Sequence, residues 1–211
     1  MRVISVQVGK PKLVARAGQT VLTGIFKNPV DGPIPVQREN LEGDAQADLS
    51  VHGGPDKAVY AYPSEHYDGW RTQLGRDLAF GIFGENLTTE GLIEDEVHIG
   101  DEFRVGTARL VVTQPRMPCF KLGIRFDDPT MVKTFLKAGR PGIYFGVREE
   151  GVVGPGDPIE RVRQDQNRVT VTAMLRLILD RNPDPAQIQR LLNVPALAAV
   201  WRGEFEDRLT R

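Results

Sequence analysis

The chain contains one cysteine, Cys119, within the segment Gln114–Leu122, which reads QPRMPCFKL. Two prolines in this segment disfavour helix and strand, so we expect a rigid loop that presents Cys119. Arg116 and Lys121 lie close enough in sequence to stabilise a thiolate, which can act as a nucleophile or as a ligand for a soft metal. Alternatively, Cys119 is a small buried hydrophobic residue beside Phe120. The local pattern favours neither interpretation.

A second candidate segment is DLSVHGGPDKAVY, from Asp48 to Tyr60. Gly53 and Gly54 allow the backbone to approach a ligand closely, and His52 and Lys57 supply hydrogen-bond donors for an anion. The alternative is an ordinary tight turn that leads into a strand and leaves a surface histidine and lysine. Spacing alone favours the turn.

Two further polar residues could contact a ligand. Asn86, within FGENLTT, could hydrogen-bond the edge of a heterocycle or satisfy amides of its own loop. Lys27 follows a predicted strand and could bind phosphate or be solvated. The sequence has neither a phosphate-binding loop that ends in Lys-Ser/Thr nor a dinucleotide fingerprint, which disfavours a kinase or a nicotinamide-dependent dehydrogenase.

Composition excludes several other classes of protein. The 211 residues include 27 Lys+Arg and 28 Asp+Glu, and the net charge of −1 disfavours a general nucleic-acid or anionic-membrane binder. One cysteine cannot form an intrachain disulfide or a site of several thiolates. No apolar run approaches the about 18 residues of a membrane span, and residues 1–9 resemble a strand rather than a signal peptide. We therefore expect a cytoplasmic protein.

The elements that must position these side chains change in character near residue 165. Before it, short β-like runs alternate with glycine and proline, a pattern typical of a β-barrel or a rolled sheet. The predicted strands cover residues 2–8, 19–26, 58–62, 102–105, 108–113 and 143–147. Inserted helices are predicted over residues 64–74 and from Asp128 to Gly139.

From Val169 onward, apolar residues recur at helical spacing in three short segments separated by Pro183 and Pro195. These helices should pack on one another or on the barrel, and a homodimer contact is the alternative. The predicted fold is therefore mainly β, with a barrel domain over residues 1–165, a few inserted helices, and a three-helix extension over residues 166–211.

Five segments, taken in order, resemble the MOSC domain, named after the C-terminal domain of molybdenum cofactor sulfurase. They are GIFK at 24–27, VHGGPDKAVY at 51–60, FGENL at 83–87, Gly100-Asp101, and QPRMPC at 114–119. The helical tail is similar to the three-helix extension of the YiiM-like branch of this family.

The resemblance implies a MOSC-type β-barrel that binds a molybdenum-pterin cofactor (molybdopterin), with Cys119 as the catalytic residue that ligates molybdenum or carries sulfur. The cofactor-binding residues expected in the matching segments are Lys27, His52, Gly53, Gly54, Lys57, Asn86, Arg116 and Lys121. The YiiM-like branch is associated with reduction of N-hydroxylated compounds, including hydroxylated purine bases. The hypothesis is a reductase of small N-hydroxylated substrates that depends on an external electron-donor protein. The alternatives are a sulfur carrier that holds a persulfide on Cys119 and a non-catalytic interaction module.

Overall fold

The structure, a computed structural model, describes residues 1–16, 18–47 and 53–210. The strands are β1 Arg2–Val8, β2 Lys12–Arg16, β3 Gln19–Thr23, β4 Asn28–Pro29, β5 Ile34–Val36, β6 Val59–Pro63, β7 Leu87–Glu90, β8 Glu102–Val105, β9 Ala108–Pro115, β10 Ile143–Glu149, β11 Gly151–Val153 and β12 Ile159–Arg163. The helices are α1 Glu65–Leu74, α2 Phe120–Phe126, α3 Met131–Ala138, α4 Val171–Leu179, α5 Pro185–Leu192 and α6 Ala199–Thr210, and a 3₁₀ turn covers Pro55–Lys57. Across the described ranges, no helix has the length and apolar character that crossing a membrane requires.

The secondary structure follows the sequence prediction for the longer elements. Each of the six predicted strand segments contains a strand, and the predicted helices of the β region and of the tail all form. The prediction omits β2, β4, β5, β7, β11 and β12 as strands and α2 as a helix. Most of the omitted strands are short or exposed, as in β12, where four of five residues face solvent. They therefore lack the alternation of apolar and polar residues that marks a strand.

Eight strands form the main sheet in the order β12-β8-β9-β10-β6-β7-β1-β4. All neighbours are antiparallel except β6 and β7, which are parallel because α1 makes the crossover between them. Two further pairs, β2 with β3 and β5 with β11, form separate two-stranded sheets.

Of the two predicted forms, a barrel or a rolled sheet, the main sheet is not a closed barrel, because its described part has two end strands, β12 and β4. Near its start, β1 bonds to residues that precede β12: the Val3 amide donates to the Asp157 carbonyl over 2.9 Å, and Arg2 bridges Pro158. Pro158 has no amide hydrogen, so this contact cannot extend as a ladder. The far end of β1 pairs with β4 instead, so the two ends of the sheet meet only at one corner.

One continuous apolar core lies between the main sheet and the C-terminal helices. Phe103 and Phe145 of the sheet join the same buried cluster as Met174, Leu191 and Phe205 of α4, α5 and α6. Removal of apolar surface from water is worth about 25 cal/mol per Å², so this shared core holds the tail on the sheet. The homodimer contact stays a prediction.

A second, aromatic cluster packs β6 against α1, α2 and α3. The rings of Trp70 and Phe135 are stacked 5.9 Å apart, and the Trp70 indole donates to the Tyr62 hydroxyl over 2.7 Å. Phe83 and Phe126 complete the cluster. Two tyrosines of this cluster, Tyr60 and Tyr144, also line a cavity beside Cys119, which is described below.

Candidate functional site

An open cavity of about 100 Å³ brings together residues from separate parts of the chain. Its lining includes seven of the nine residues predicted for the site: Lys27, Gly53, Lys57, Asn86, Arg116, Cys119 and Lys121. Gly54 does not line the cavity, and His52 lies outside the described residues. The functional roles of these residues stay predictions.

The backbone around Cys119 differs from the predicted rigid loop. Strand β9 continues through Pro115, and α2 begins at Phe120, so only residues 116–119 are irregular. Pro115 is tolerated because it is the last residue of a strand. Pro118 is tolerated because it lies just before the first turn of α2, where backbone amides have no partner within the helix. Cys119 has extended backbone angles and caps α2, and its half-buried thiol lies at the cavity.

Arg116 is a buried cation without a carboxylate partner among the described residues. Its side chain is 6% exposed, and its Nη1 atom is buried with no hydrogen-bond partner in the described ranges. The guanidinium lies 5.0 Å from the ring centroid of Tyr60 and 5.3 Å from that of Phe135. Burial lowers the pKa of Arg116, but Tyr60, Tyr144 and Cys119 raise it, and the net direction is upward. A buried, permanent positive charge favours an anionic ligand in the cavity.

Three lysines line the cavity, and Asp44 neutralises the charge of one of them, Lys27. Lys57 and Lys121 line the cavity, and burial lowers the pKa of Lys57 against the opposing effect of Asp56. The Lys27 ammonium lies 2.5 Å and 2.6 Å from the two carboxylate oxygens of Asp44. Burial lowers the pKa of Lys27, and Asp44 opposes this shift. Lys27 is therefore paired within the protein, while Arg116 and Lys121 line the same cavity without a carboxylate partner among the described residues.

Asn86 uses its amide group inside the protein. Its Oδ1 accepts from the Tyr60 amide over 3.1 Å, and its Nδ2 donates to Asp44 over 2.9 Å and to the Gln7 carbonyl over 3.3 Å. Both donors of the amide group therefore have protein partners. This arrangement favours the interpretation in which Asn86 satisfies nearby backbone, and it fixes the start of β7 beside β6.

Sequence reasoning missed Asp44, Tyr60 and Tyr144 in the cavity lining. The two tyrosine rings lie 5.0 Å apart, and the Tyr60 hydroxyl donates to the Pro141 carbonyl over 2.9 Å. Burial raises the pKa of both tyrosines against the opposing charge of Arg116, so both hydroxyls stay protonated at neutral pH. The alternation along β10 could have indicated Tyr144, because it is half-buried between the buried Ile143 and Phe145.

The C-terminal helix α6 is hydrogen-bonded to two segments that carry cavity residues. The Trp201 indole donates to Gln114 Oε1 over 2.8 Å, and Gln114 donates to the Asp56 carbonyl over 3.2 Å. The Asp56 carboxylate accepts from the Ala199 amide over 2.9 Å. These bonds connect the start of α6 to the end of β9 and to the turn that carries Lys57.

Among residues 1–16, 18–47 and 53–210, no group of three or more His, Cys, Asp or Glu side chains could hold a metal ion. A metal at Cys119 would thus need most of its ligands from a cofactor. The thiol and the unpaired Arg116 fit an anionic, sulfur-bearing metal cofactor. A site that encloses a drug-sized ligand has a volume of roughly 300 Å³ or more, so a pterin would extend beyond the 100 Å³ of this open cavity.

Two family domains and three known proteins align with this chain. Residues 48–160 match the MOSC domain, and residues 169–211 match the YiiM-like 3-alpha helix domain. The protein YflK of Bacillus subtilis is 43% identical over 210 residues, which are 98% of this chain and 95% of YflK. The crystal structure of YiiM from Geobacillus stearothermophilus has a TM-score of 0.84 and 36% identity, covering 99% of this chain and 98% of that one. A protein named reductase from Gibberella moniliformis is 33% identical over 183 residues, which are 85% of this chain and 32% of that longer protein.

Proposed function

The chain belongs to the MOSC domain family, in the YiiM-like branch with its three-helix domain, and we propose that it is an oxidoreductase that binds a molybdenum-pterin cofactor at Cys119. The observation that carries this proposal is the buried Arg116, which has a buried Nη1 without a hydrogen-bond partner among the described residues and which lines the same cavity as the one thiol of the chain. The relative named reductase supports the general class of activity.

The thiol, the cationic side chains and a tyrosine hydroxyl of the cavity each have a part in this proposal. Cys119 supplies a thiolate ligand, and Arg116, Lys57 and Lys121 bind the anionic groups of the cofactor. The cofactor, when bound, supplies a metal that can accept an oxygen atom from a substrate. The protonated hydroxyl of Tyr144, which also lines the cavity, can donate a hydrogen bond, whereas the Tyr60 hydroxyl already donates to the Pro141 carbonyl.

The proposed reaction is reduction of a small N-hydroxylated compound, such as a hydroxylamino purine base. Cleavage of the N–O bond consumes two electrons and two protons and releases the amine and water. One cysteine cannot form a site of several thiolates, such as an iron–sulfur cluster that would deliver electrons. We therefore propose a separate electron-donor protein as the source of electrons.

Elemental analysis tests the proposal with the whole chain, purified without oxygen from cells that make the cofactor. We expect molybdenum in the wild type, loss of molybdenum in Cys119→Ser, and retention in Met117→Leu, which changes a cavity residue without removing the thiol. Reduction of N-hydroxylated adenine, with reduced methyl viologen as donor, should follow the molybdenum content. Activity retained in Cys119→Ser would overturn the proposal. Absence of metal from all three proteins, with one extra sulfur atom on Cys119 by mass spectrometry, would establish the sulfur carrier instead.

A further inference from the structure

A second cavity, of about 360 Å³, lies between α1, the end of α3 and helix α4 of the tail. It is separate from the cavity at Cys119, and the two have no lining residue in common. We propose that this second cavity binds a small organic anion whose acidic group contacts Arg140 and whose apolar body contacts α4. This proposal is independent of the proposed oxidoreductase function.

Arg140 is the main reason for assigning an anion. Its half-buried side chain lines the cavity and has neither an ion pair nor a hydrogen bond among the described residues. Its Nη1 atom lies only 2.7 Å from the position that a Cβ atom on Gly69 would occupy. Glycine inside a helix costs about 1 kcal/mol relative to alanine, and here it makes room for the guanidinium against α1. The guanidinium fork matches the geometry of a carboxylate or a phosphate.

The formal charges of the cavity balance, because Arg140 and Arg176 face Glu94 and Asp95, but the two signs differ in what they already bind. Arg176 of α4 is a second arginine that has no ion pair among the described residues. The buried Glu94 is already engaged, because His66 Nε2 lies 2.7 Å from one carboxylate oxygen and the Gly142 amide donates to the other over 2.8 Å. Asp95 is exposed and opposes the two arginines. The half-buried Arg140, rather than the engaged Glu94, is therefore the group inside this cavity to which a charged ligand can bind, and it favours an acidic one.

Apart from Thr172, the remaining lining is apolar or glycine and comes from both sides of the cavity. Ile93 lies in the segment between β7 and β8 and Ala138 ends α3, whereas Leu175 and Leu179 belong to α4. Leu179 is 49% exposed, which is high for a large apolar side chain beside a concave surface. A ligand with an aliphatic or aromatic body would cover it. The volume lies within the range of small-molecule sites, which often occur where two parts of a protein meet.

Titration of the isotopically labelled chain, followed by nuclear magnetic resonance of backbone amides, tests the site. The probes are phenylacetate and phenyl phosphate, with phenylacetamide as the neutral control. We expect saturable shifts at the amides of Ala138 and Gly139, whereas Gly53 and Gly84, which line the other cavity, separate this site from binding beside Cys119. Tighter binding of one acid than the other tells whether the site prefers a carboxylate or a phosphate.

Variants connect the shifts to the two arginines. Arg140→Gln and Arg176→Gln should each weaken binding about tenfold, the effect of one charge-assisted hydrogen bond, and the exposed Arg38→Gln should not. Gly69→Ala should also weaken binding without loss of stability, because the new methyl group displaces the guanidinium from α1. Cys119→Ser should bind normally, which separates this result from the proposed enzyme activity.

Three results would overturn the proposal. The first is the absence of saturable shifts at Ala138 and Gly139 with either acid. The second is equal affinity for phenylacetamide and phenylacetate. The third is unchanged affinity in both Arg140→Gln and Arg176→Gln.

Discussion

Asp44 holds three polar groups together beside the cavity at Cys119. Its carboxylate pairs with Lys27 and accepts hydrogen bonds from the Gly9 amide and from Asn86 Nδ2, each over 2.9 Å. The side chains of Asp44 and Lys27 are 1% and 9% exposed. The loss of one partner from a buried ion pair leaves an uncompensated charge, which is far more costly than the loss of a surface pair.

Asp44→Asn should therefore lower the free energy of unfolding by about 3 kcal/mol, because Lys27 would stay buried without a negative partner. Urea denaturation at pH 7 measures this change. The exposed Asp31→Asn is the matched control, and we expect a change within about 0.5 kcal/mol. A loss below 1 kcal/mol in Asp44→Asn would show that water reaches Lys27.

The site residues that the sequence predicts are those within recognisable local segments, such as Lys57, Arg116 and Cys119. Asp44 and Tyr144 could not be predicted in the same way, because their neighbours come from distant parts of the chain. Asp44 reaches Lys27 and Asn86 only after β1, β7 and β6 have assembled. The local sequence around Asp44 or Tyr144 does not indicate such long-range pairing.

Helix α2 shows why an element can be missed. Gly123 lies inside it, and glycine normally lowers the expectation of a helix. The structure explains this glycine by close packing, because a Cβ atom there would lie 2.9 Å from the Asp128 carbonyl oxygen.

Strand β7 was also missed, because its buried Thr88 is polar. The Thr88 hydroxyl donates to Glu85 and accepts from Gln7, each over 3.1 Å.

Helix α6 should be coupled energetically to strand β9 through Trp201 and Gln114. Trp201→Phe removes the indole donor, and we expect a loss of about 1 kcal/mol, the net value of a typical hydrogen bond. A double-mutant cycle with Gln114→Met, read by urea denaturation, should give a coupling energy of similar size. Val200→Ala, at a neighbouring residue that is 61% exposed, should change little. Additive effects of Trp201→Phe and Gln114→Met would contradict the coupling.

The stability of the whole molecule should fall steeply above pH 10. The chain has four tyrosines, and burial raises the pKa of Tyr60, Tyr62, Tyr67 and Tyr144. Above about pH 10 the unfolded chain loses these four protons while the folded chain retains them, so the folded state loses about 1.4 kcal/mol per tyrosine for each pH unit. Burial lowers the pKa of Lys27 and of Lys57, which acts in the opposite direction, but these are two groups against four and their effect ends near pH 10.4.

Urea denaturation between pH 9.5 and 11.5 measures this slope, and absorbance at 295 nm reports tyrosinate. We expect tyrosinate to appear only together with unfolding, and Tyr67→Phe should reduce the slope by about a quarter. Tyrosinate absorbance near pH 10 in a chain with a native circular dichroism spectrum would show that the tyrosines are accessible to water.

Cys119 gives the protein a built-in reporter of its own cavity. Because it is the one thiol in the chain and its half-buried sulfur lies at the cavity, any thiol-specific reagent labels this position alone. The rate of alkylation of unmodified protein therefore measures how often the cavity is filled. Candidate cofactors and inhibitors can be ranked by the protection that they give, with no engineered label and no background from other sulfurs.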